Sequence, residues 1–365
     1  MSTVSIERAG VIKFDFSDYY PDAILNIQLN RTLRVPDVAN DKGSRSKLPP
    51  GLGTFETVST ESLGDKFPTG QQAGIIMPMF QSEAAWFGFS HSRARYPFMI
   101  KIAAGGINAI TGDVWQDGPS FGAHEKQDYV TAPSQPWIDG FKTGEGIVRQ
   151  FVAVPLGKGL TVEEQLRGEV KFGGIQFVVH PIDKDYFEKV ILPERARQSP
   201  FRLSLHGGSQ NVFMFAATAT RQASSMGLAA GGQIEQRIEK DRHGSDKWVN
   251  GESASLFIHI ANSKDWMELT GRAMPRPPLS ASDYTLHGGK WFDYYSDTDV
   301  TTAPALTDVK SPGQIADAAG LPTDEPQNIP PSQVVDLMPS RPVKQWDGKK
   351  ETDKPETNAG ITPAP

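Results

Sequence analysis

Cysteine is absent from the 365 residues of this chain. That excludes disulfides, thiolate nucleophiles, cysteine-ligated zinc and iron–sulfur clusters. It does not fix a compartment, because a secreted chain need not carry disulfides. Long apolar runs are missing too: none approaches the roughly 18 residues that cross a bilayer. The first residues, Met1 to Ile12, lack the basic stretch and apolar run of a signal peptide. The expectation is a cytoplasmic protein with no membrane span. Positive charge is also in deficit, with 37 Lys and Arg against 43 Asp and Glu, a net charge of −6. Phosphate backbones are held by clustered cations that release counterions. The small basic groups here, Arg93, Arg95 and Lys101 and then Lys42, Arg45 and Lys47, read as solvated faces. No nucleic-acid partner is expected.

Signatures of catalysis and of metal binding are lacking as well. No G-x-S-x-G elbow occurs, nor the Asp-Thr-Gly or Asp-Ser-Gly of aspartic proteases. Gly157-Lys158-Gly159-Leu160-Thr161 precedes a helix start, where an anion can sit, but it is not a Walker A loop. His206-Gly207-Gly208 and His287-Gly288-Gly289 have no second His or carboxylate at ligand spacing and read as turns. Asp293, Asp297 and Asp299 form an acidic run without the Gly and distal Glu of a calcium loop. No metal and no cofactor are expected.

Glycine (35) and proline (28), by contrast, are plentiful, and hydrophobic residues make up 38%. Frequent breakers between short apolar runs point to a β-rich α+β fold. Strands are expected at Val11–Phe16, Ala23–Leu29, Tyr96–Ala103, Ile147–Val154, Ile175–His180, Asn211–Ala217, Gln233–Ile238 and Leu256–Ile260, and the apolar run Gly74–Phe80, with Pro78 inside it, reads as an edge strand or as a strand ending at Met77. Gly105-Gly106 should turn the chain. Ser82 is placed to cap a short helix over 83–89. Thr161 and Glu164 have capping-box spacing, with Gly168 as the stop. Asn262 to Thr270 reads as a helix with Trp266 and Leu269 on one face and Gly271 after it.

Part of the chain resembles another part. Phe98-Met99-Ile100-Lys101-Ile102-Ala103 is followed by Thr111-Gly112, Asp128-Tyr129 and Trp137-Ile138-Asp139. Phe257-Ile258-His259-Ile260-Ala261 is followed by Thr270-Gly271, Asp283-Tyr284 and Trp291-Phe292-Asp293. The offsets agree, with 260 − 102 = 158 and 232 − 74 = 158. Two diverged repeats, about 74–139 and 232–293, would flank central strands over 147–182. They would be related by a pseudo-twofold axis in an antiparallel sandwich or barrel-like arrangement with short helices. Residues 1–300 would form one unit. Residues 301–365, rich in proline, read as a largely extended tail, docked near Val334-Val335-Asp336-Leu337-Met338.

The repeated Trp-x-Asp element carries the candidate site residues Trp137, Asp139, Trp291 and Asp293. Trp and Asp two apart in a strand share a face. One use is a buried indole with an acid capping the next turn. The other is an aromatic platform beside a carboxylate, which suits a sugar ring. Asp139 with Asp293 would then be the carboxylate pair of a glycoside hydrolase. The leading expectation is a non-enzymatic binding or structural, assembly-forming protein. Trp86, Phe87, Phe89, Tyr294 and Tyr295 offer aromatic surface for self-association into a homo-oligomer. The alternative is a carbohydrate-binding protein or glycoside hydrolase.

Several segments resemble a widespread family of bacterial and fungal proteins with no assigned activity. They are Pro49-Pro50-Gly51-Leu52-Gly53-Thr54-Phe55, Ile107-Asn108-Ala109-Ile110-Thr111-Gly112, Arg149-Gln150-Phe151-Val152-Ala153-Val154-Pro155-Leu156-Gly157, Gly173-Gly174-Ile175-Gln176 and Trp291-Phe292-Asp293-Tyr294-Tyr295. The resemblance spans roughly Leu48 to Tyr295. It implies one folded unit and brings no catalytic residue, cofactor or substrate.

Overall fold

The structure, a computed structural model, describes residues 2–38, 45–92, 95–115, 126–198, 225–294, 306–325 and 328–337. The chain opens with β1 (Thr3–Arg8), β2 (Val11–Asp15), β3 (Ile24–Thr32), β4 (Gly51–Thr54), β5 (Val58–Ser59), β6 (Ile75–Pro78) and β7 (Ala84–His91). It continues with β8 (Phe98–Ala104), β9 (Ile107–Asn108), β10 (Val130–Ala132), β11 (Trp137–Ile138), β12 (Gly140–Gly144) and β13 (Ile147–Pro155). The last strands are β14 (Ile175–Pro181), β15 (Met226–Glu235), β16 (Ala254–Ala261), β17 (Trp291–Asp293) and β18 (Val334–Asp336). Among the described residues, a nine-stranded sheet runs β1-β2-β3-β7-β13-β12, with β4, β11 and β15 joined to β3, β7 and β13. A seven-stranded sheet runs β10-β8-β14-β16-β6-β5, with β9 on β8.

Alternation explains how the two sheets meet. In β3, Leu25, Ile27 and Leu29 are fully buried, while Ile24, Asn26 and Gln28 on the opposite face are only partly covered, the period-2 pattern of a half-buried strand. Phe87 of β7 packs on Phe151 of β13 (5.1 Å between ring centroids) and on Phe177 of β14 in the other sheet (5.3 Å, edge to face). Phe16 meets Phe98 of β8 at 5.5 Å. These aromatic contacts join both sheets into one apolar layer. The sheets also touch where Ser225 N–H donates to Ile260 O (3.1 Å). Gly105 and Gly106 (φ 57° and 70°) make the tight β8–β9 turn, which needs positive φ at both central positions.

Most expected strands form. The helix over 83–89 does not: those residues belong to β7. β7 is paired along its length with β3 and, on its other side, with β13 and β11. Ser82 sits at φ 64°, so it turns the chain into the strand rather than capping a helix. Long-range pairing outweighs the local cap signal here. The same pairing corrects the expected interface, because Phe87 and Phe89 are core residues and Trp86 is partly buried. Lys101, expected on a solvated face, is 2% exposed and paired with Asp128 at 2.8 Å. The strand expected at Asn211–Ala217 lies outside the described residues.

The repeat is not shown. β8 and β16 do share a setting, since both lie antiparallel to β14, one on each side. The anchors after them diverge. Thr111-Gly112 follows β9 in a turn, whereas Thr270 ends a helix, Ser263–Thr270. Asp128-Tyr129 leads into β10, whereas Asp283-Tyr284 lies inside the helix Ala281–Leu286. Trp137 pairs into the nine-stranded sheet, while Trp291 belongs to a separate two-stranded ribbon with β18. Two buried strands beside one neighbour draw on the same apolar residues.

The expected tail is partly folded onto the body. Leu306 and Val309 are 4% exposed and Ser311 is fully buried. Ser311 and Gln314 form a capping box on the helix Pro312–Ala318. Gly313 N–H donates to Asp37 Oδ2 (2.6 Å), and Gln165 and Lys310 exchange two hydrogen bonds (2.8 and 2.9 Å). The docking expected at Val334 takes the form of β18, parallel to β17; residues 338–365 lie outside the described set. No helix among the described residues is long and apolar enough to cross a membrane.

Candidate functional site

β11 is two residues long and crosses β7 with Trp137 opposite Gly88 and Ile138 opposite Phe87. Ile138 is fully buried in the core, and Trp137, on the opposite side of the strand, is partly buried and packs against the edge of the core cluster. The Trp137 indole N–H donates to Asp139 Oδ2 at 2.6 Å. Gln236 Nε2 donates to the same oxygen at 2.7 Å, and Asp139 N–H donates back to Gln236 Oε1 at 2.9 Å. Asp139 is 4% exposed. Burial pushes its carboxyl up to about 7, against the opposing pull of the indole N–H.

Gln236 is one of three glutamines that hold the segment after β15. Gln135 Nε2 donates to Trp137 O (3.0 Å) and Arg237 O (3.2 Å), and its Oε1 accepts from Glu239 N–H (2.9 Å). Gln127 Nε2 donates to Glu239 O (2.8 Å), and its Oε1 accepts from Asp241 N–H (2.8 Å). A primary amide carries both a donor and an acceptor, so each side chain stands in for one peptide unit of a missing strand. In this way residues 236–241 are fixed beside 127–139 without a backbone ladder.

The clasp leaves a cleft of about 120 Å³ between these two segments. Trp137 and Tyr294 form its aromatic wall, their rings 4.8 Å apart and edge to face. Leu48 and Pro136 add apolar surface; Glu235, Arg237, Glu239 and the two glutamines bring polar groups. Glu235 lies 3.7 Å from Arg45, and Glu239 3.8 Å from Arg242. Burial, and then the Glu239 charge, push the Tyr294 hydroxyl up. The cleft is small beside the roughly 300–1,000 Å³ of drug-sized sites, which suits one ring-sized group.

The second Trp-x-Asp element is used differently. Trp291 is fully buried, its indole N–H donating to Thr285 Oγ1 (3.0 Å) and its ring edge-on to Tyr284 (6.1 Å). Asp293 accepts from Lys47 Nζ at 2.6 Å, and both side chains are more than one-third exposed. Of the four expected site residues, Trp137 alone lines the cleft; Asp139 stands behind it, Trp291 is core, and Asp293 is in a surface ion pair. The two elements still converge, because Tyr294 follows Asp293 and Leu48 is bridged to Phe292 through two backbone hydrogen bonds (2.9 and 3.0 Å).

Gln135, Gln236, Glu235, Arg237 and Glu239 carried no sequence signal. The hydrogen bonds that join Gln135 to Arg237 and Glu239, and Gln236 to Asp139, span about 100 residues, and no short spacing marks them. The Gly157–Thr161 loop does precede a capped helix, Val162–Arg167. Its anion seat is filled from within: the Glu164 carboxylate accepts from Gly159 N–H (3.0 Å) and Thr161 N–H (3.1 Å). His287 is an exposed turn residue, its Nδ1 2.7 Å from Asp283 O. Among the described residues no group of three or more His, Asp or Glu is arranged to hold a metal ion. Compared with family models, curated proteins and solved structures, the chain has no match.

Proposed function

We propose that this chain is a binding protein whose ligand site is the cleft at Trp137 and Tyr294, and that the ligand is a saccharide. The observation that carries the reading is the partly buried Trp137 ring, hydrogen-bonded to Asp139 and edge to face with Tyr294, with Glu235, Arg237 and Glu239 at the same cleft. Sugar rings present C–H faces that pack on aromatic rings and hydroxyls that pair with carboxylates and guanidinium groups. Binding is favoured over catalysis by Asp139 and Asp293. Asp139 Oδ2 is engaged by two donors behind the indole, and Asp293 is paired with Lys47. Neither is placed as a free acid or base across a glycosidic bond. Self-association draws no support from Phe87 and Phe89, which are core residues.

Calorimetric titration with a panel of mono- and disaccharides tests the reading. Native protein should bind at least one sugar, and Trp137→Ala and Tyr294→Ala should each weaken it by about tenfold or more, the equivalent of ~1.4 kcal/mol. No binding by any sugar, or equal binding by Trp137→Ala, contradicts it.

A further inference from the structure

The Trp137 indole N–H and the Gln236 amide converge on one atom, Asp139 Oδ2, at 2.6 and 2.7 Å. Both donors belong to residues that line the cleft, whereas Asp139 itself does not line it. We infer that Asp139 is the positioning residue of the site, and that the stance of the Trp137 ring is tied to the state of this one buried acid. The inference deepens the ligand-site reading and rests on it for the role of the cleft.

The charged groups on neighbouring elements are otherwise engaged. On β13, Arg149 reaches Asp37 (3.9 Å) and Gly231 O (3.4 Å). On the segment that carries Gln236, Glu235 approaches Arg45 and Glu239 approaches Arg242. Lys142 lies on β12 and Arg237 and Tyr294 line the cleft, while Asp139 Oδ2 accepts from Trp137 and Gln236. Burial alone raises this acid into the neutral range. When neutral, the group accepts through its carbonyl oxygen. When ionised, both bonds become charge-assisted, shorter and stronger. The indole is therefore gripped more tightly as pH rises.

The test reads the indole itself, with no sugar present. In ¹⁵N-labelled full-length protein, the Trp137 indole N–H resonance is identified by its loss in Trp137→Phe. It should move downfield as pH is raised from about 5 to 9, with its midpoint near neutrality. Asp139→Asn keeps a carbonyl acceptor for both donors and removes the titration, so its Trp137 resonance should stay fixed. A native resonance that stays put across this range, or that moves equally in Asp139→Asn, overturns the inference; the native titration decides even if the variant folds poorly. A titrating indole in a protein that binds no sugar would uphold the positioning role and remove the saccharide reading. Sugar binding with a static indole would do the reverse.

Discussion

Trp137-Ile138-Asp139 and Trp291-Phe292-Asp293 share a pattern and differ in fate. In the first, the middle residue is fully buried in the core and the Trp is only partly buried, so indole and carboxylate meet on the opposite side of the strand. In the second, Trp291 itself enters the core beneath the helix Ala281–Leu286, and Asp293 pairs with Lys47 at the surface. A tripeptide in extended conformation fixes which residues share a face, but the sheet around it decides which face is inside. One Trp therefore becomes wall and the other becomes core.

The comparison breaks most sharply at the tryptophans. Trp291→Ala should cost about 3–5 kcal/mol, the usual range for a large buried aromatic, and lower the thermal midpoint by many degrees. Trp137→Ala, at a partly buried position, should cost less. Equal losses in chemical denaturation would erase the wall-versus-core distinction.

The acids come next. Asp139 has a folded-state pKa raised to about 7, above its ordinary 3.8. Between those values the folded state holds more protons than the unfolded state, so stability falls as pH rises from about 4 to about 7 and then levels off. Asp139→Asn should abolish that slope and stabilise the protein at pH 8 by roughly 1–3 kcal/mol. Denaturant midpoints for both proteins at pH 5 and pH 8 check the sign. A native protein that gained stability relative to the variant between those two pH values would contradict it.

The clasp is a further step down. Gln135→Ala removes three hydrogen bonds and leaves Glu239 N–H without its acceptor, which should cost about 1–2 kcal/mol. Amide exchange at Glu239 should speed up in this variant and stay slow at Ile258 in β16. Asp293→Asn is the smallest change, within about 1 kcal/mol and shrinking with added salt, because the Lys47 pair is exposed. An effect on stability as large as that of Asp139→Asn would make the two acids alike after all.

Much of the fold was legible because its strands announce themselves by alternation and by Gly and Pro boundaries. The capping box at Thr161 and Glu164, the Asn262-capped helix ending at Gly271 and the Gly105-Gly106 turn all formed as their local chemistry requires. What was not legible depended on distant partners. β7 reads locally as a capped helix and becomes a strand because β3 and β13 pair with it. The packing of Leu306 to Asp324 is set by Lys142, Gln165, Asp37 and Arg34, far away in sequence. At the site, Trp137 and Asp139 were visible as a pair, but not their order, with the aromatic in front and the acid behind. Tyr294 was visible as an aromatic but not as Trp137's neighbour. The glutamine clasp left no trace, since an amide that replaces a peptide group has no preferred spacing.

The most direct measurement of the central claim is the indole region of the NMR spectrum during titration with a bound saccharide. The account predicts that the Trp137 indole resonance shifts progressively with ligand while the Trp291 indole resonance stays fixed. A shift at Trp291 with Trp137 unmoved, or saturation binding that moves neither, would contradict it.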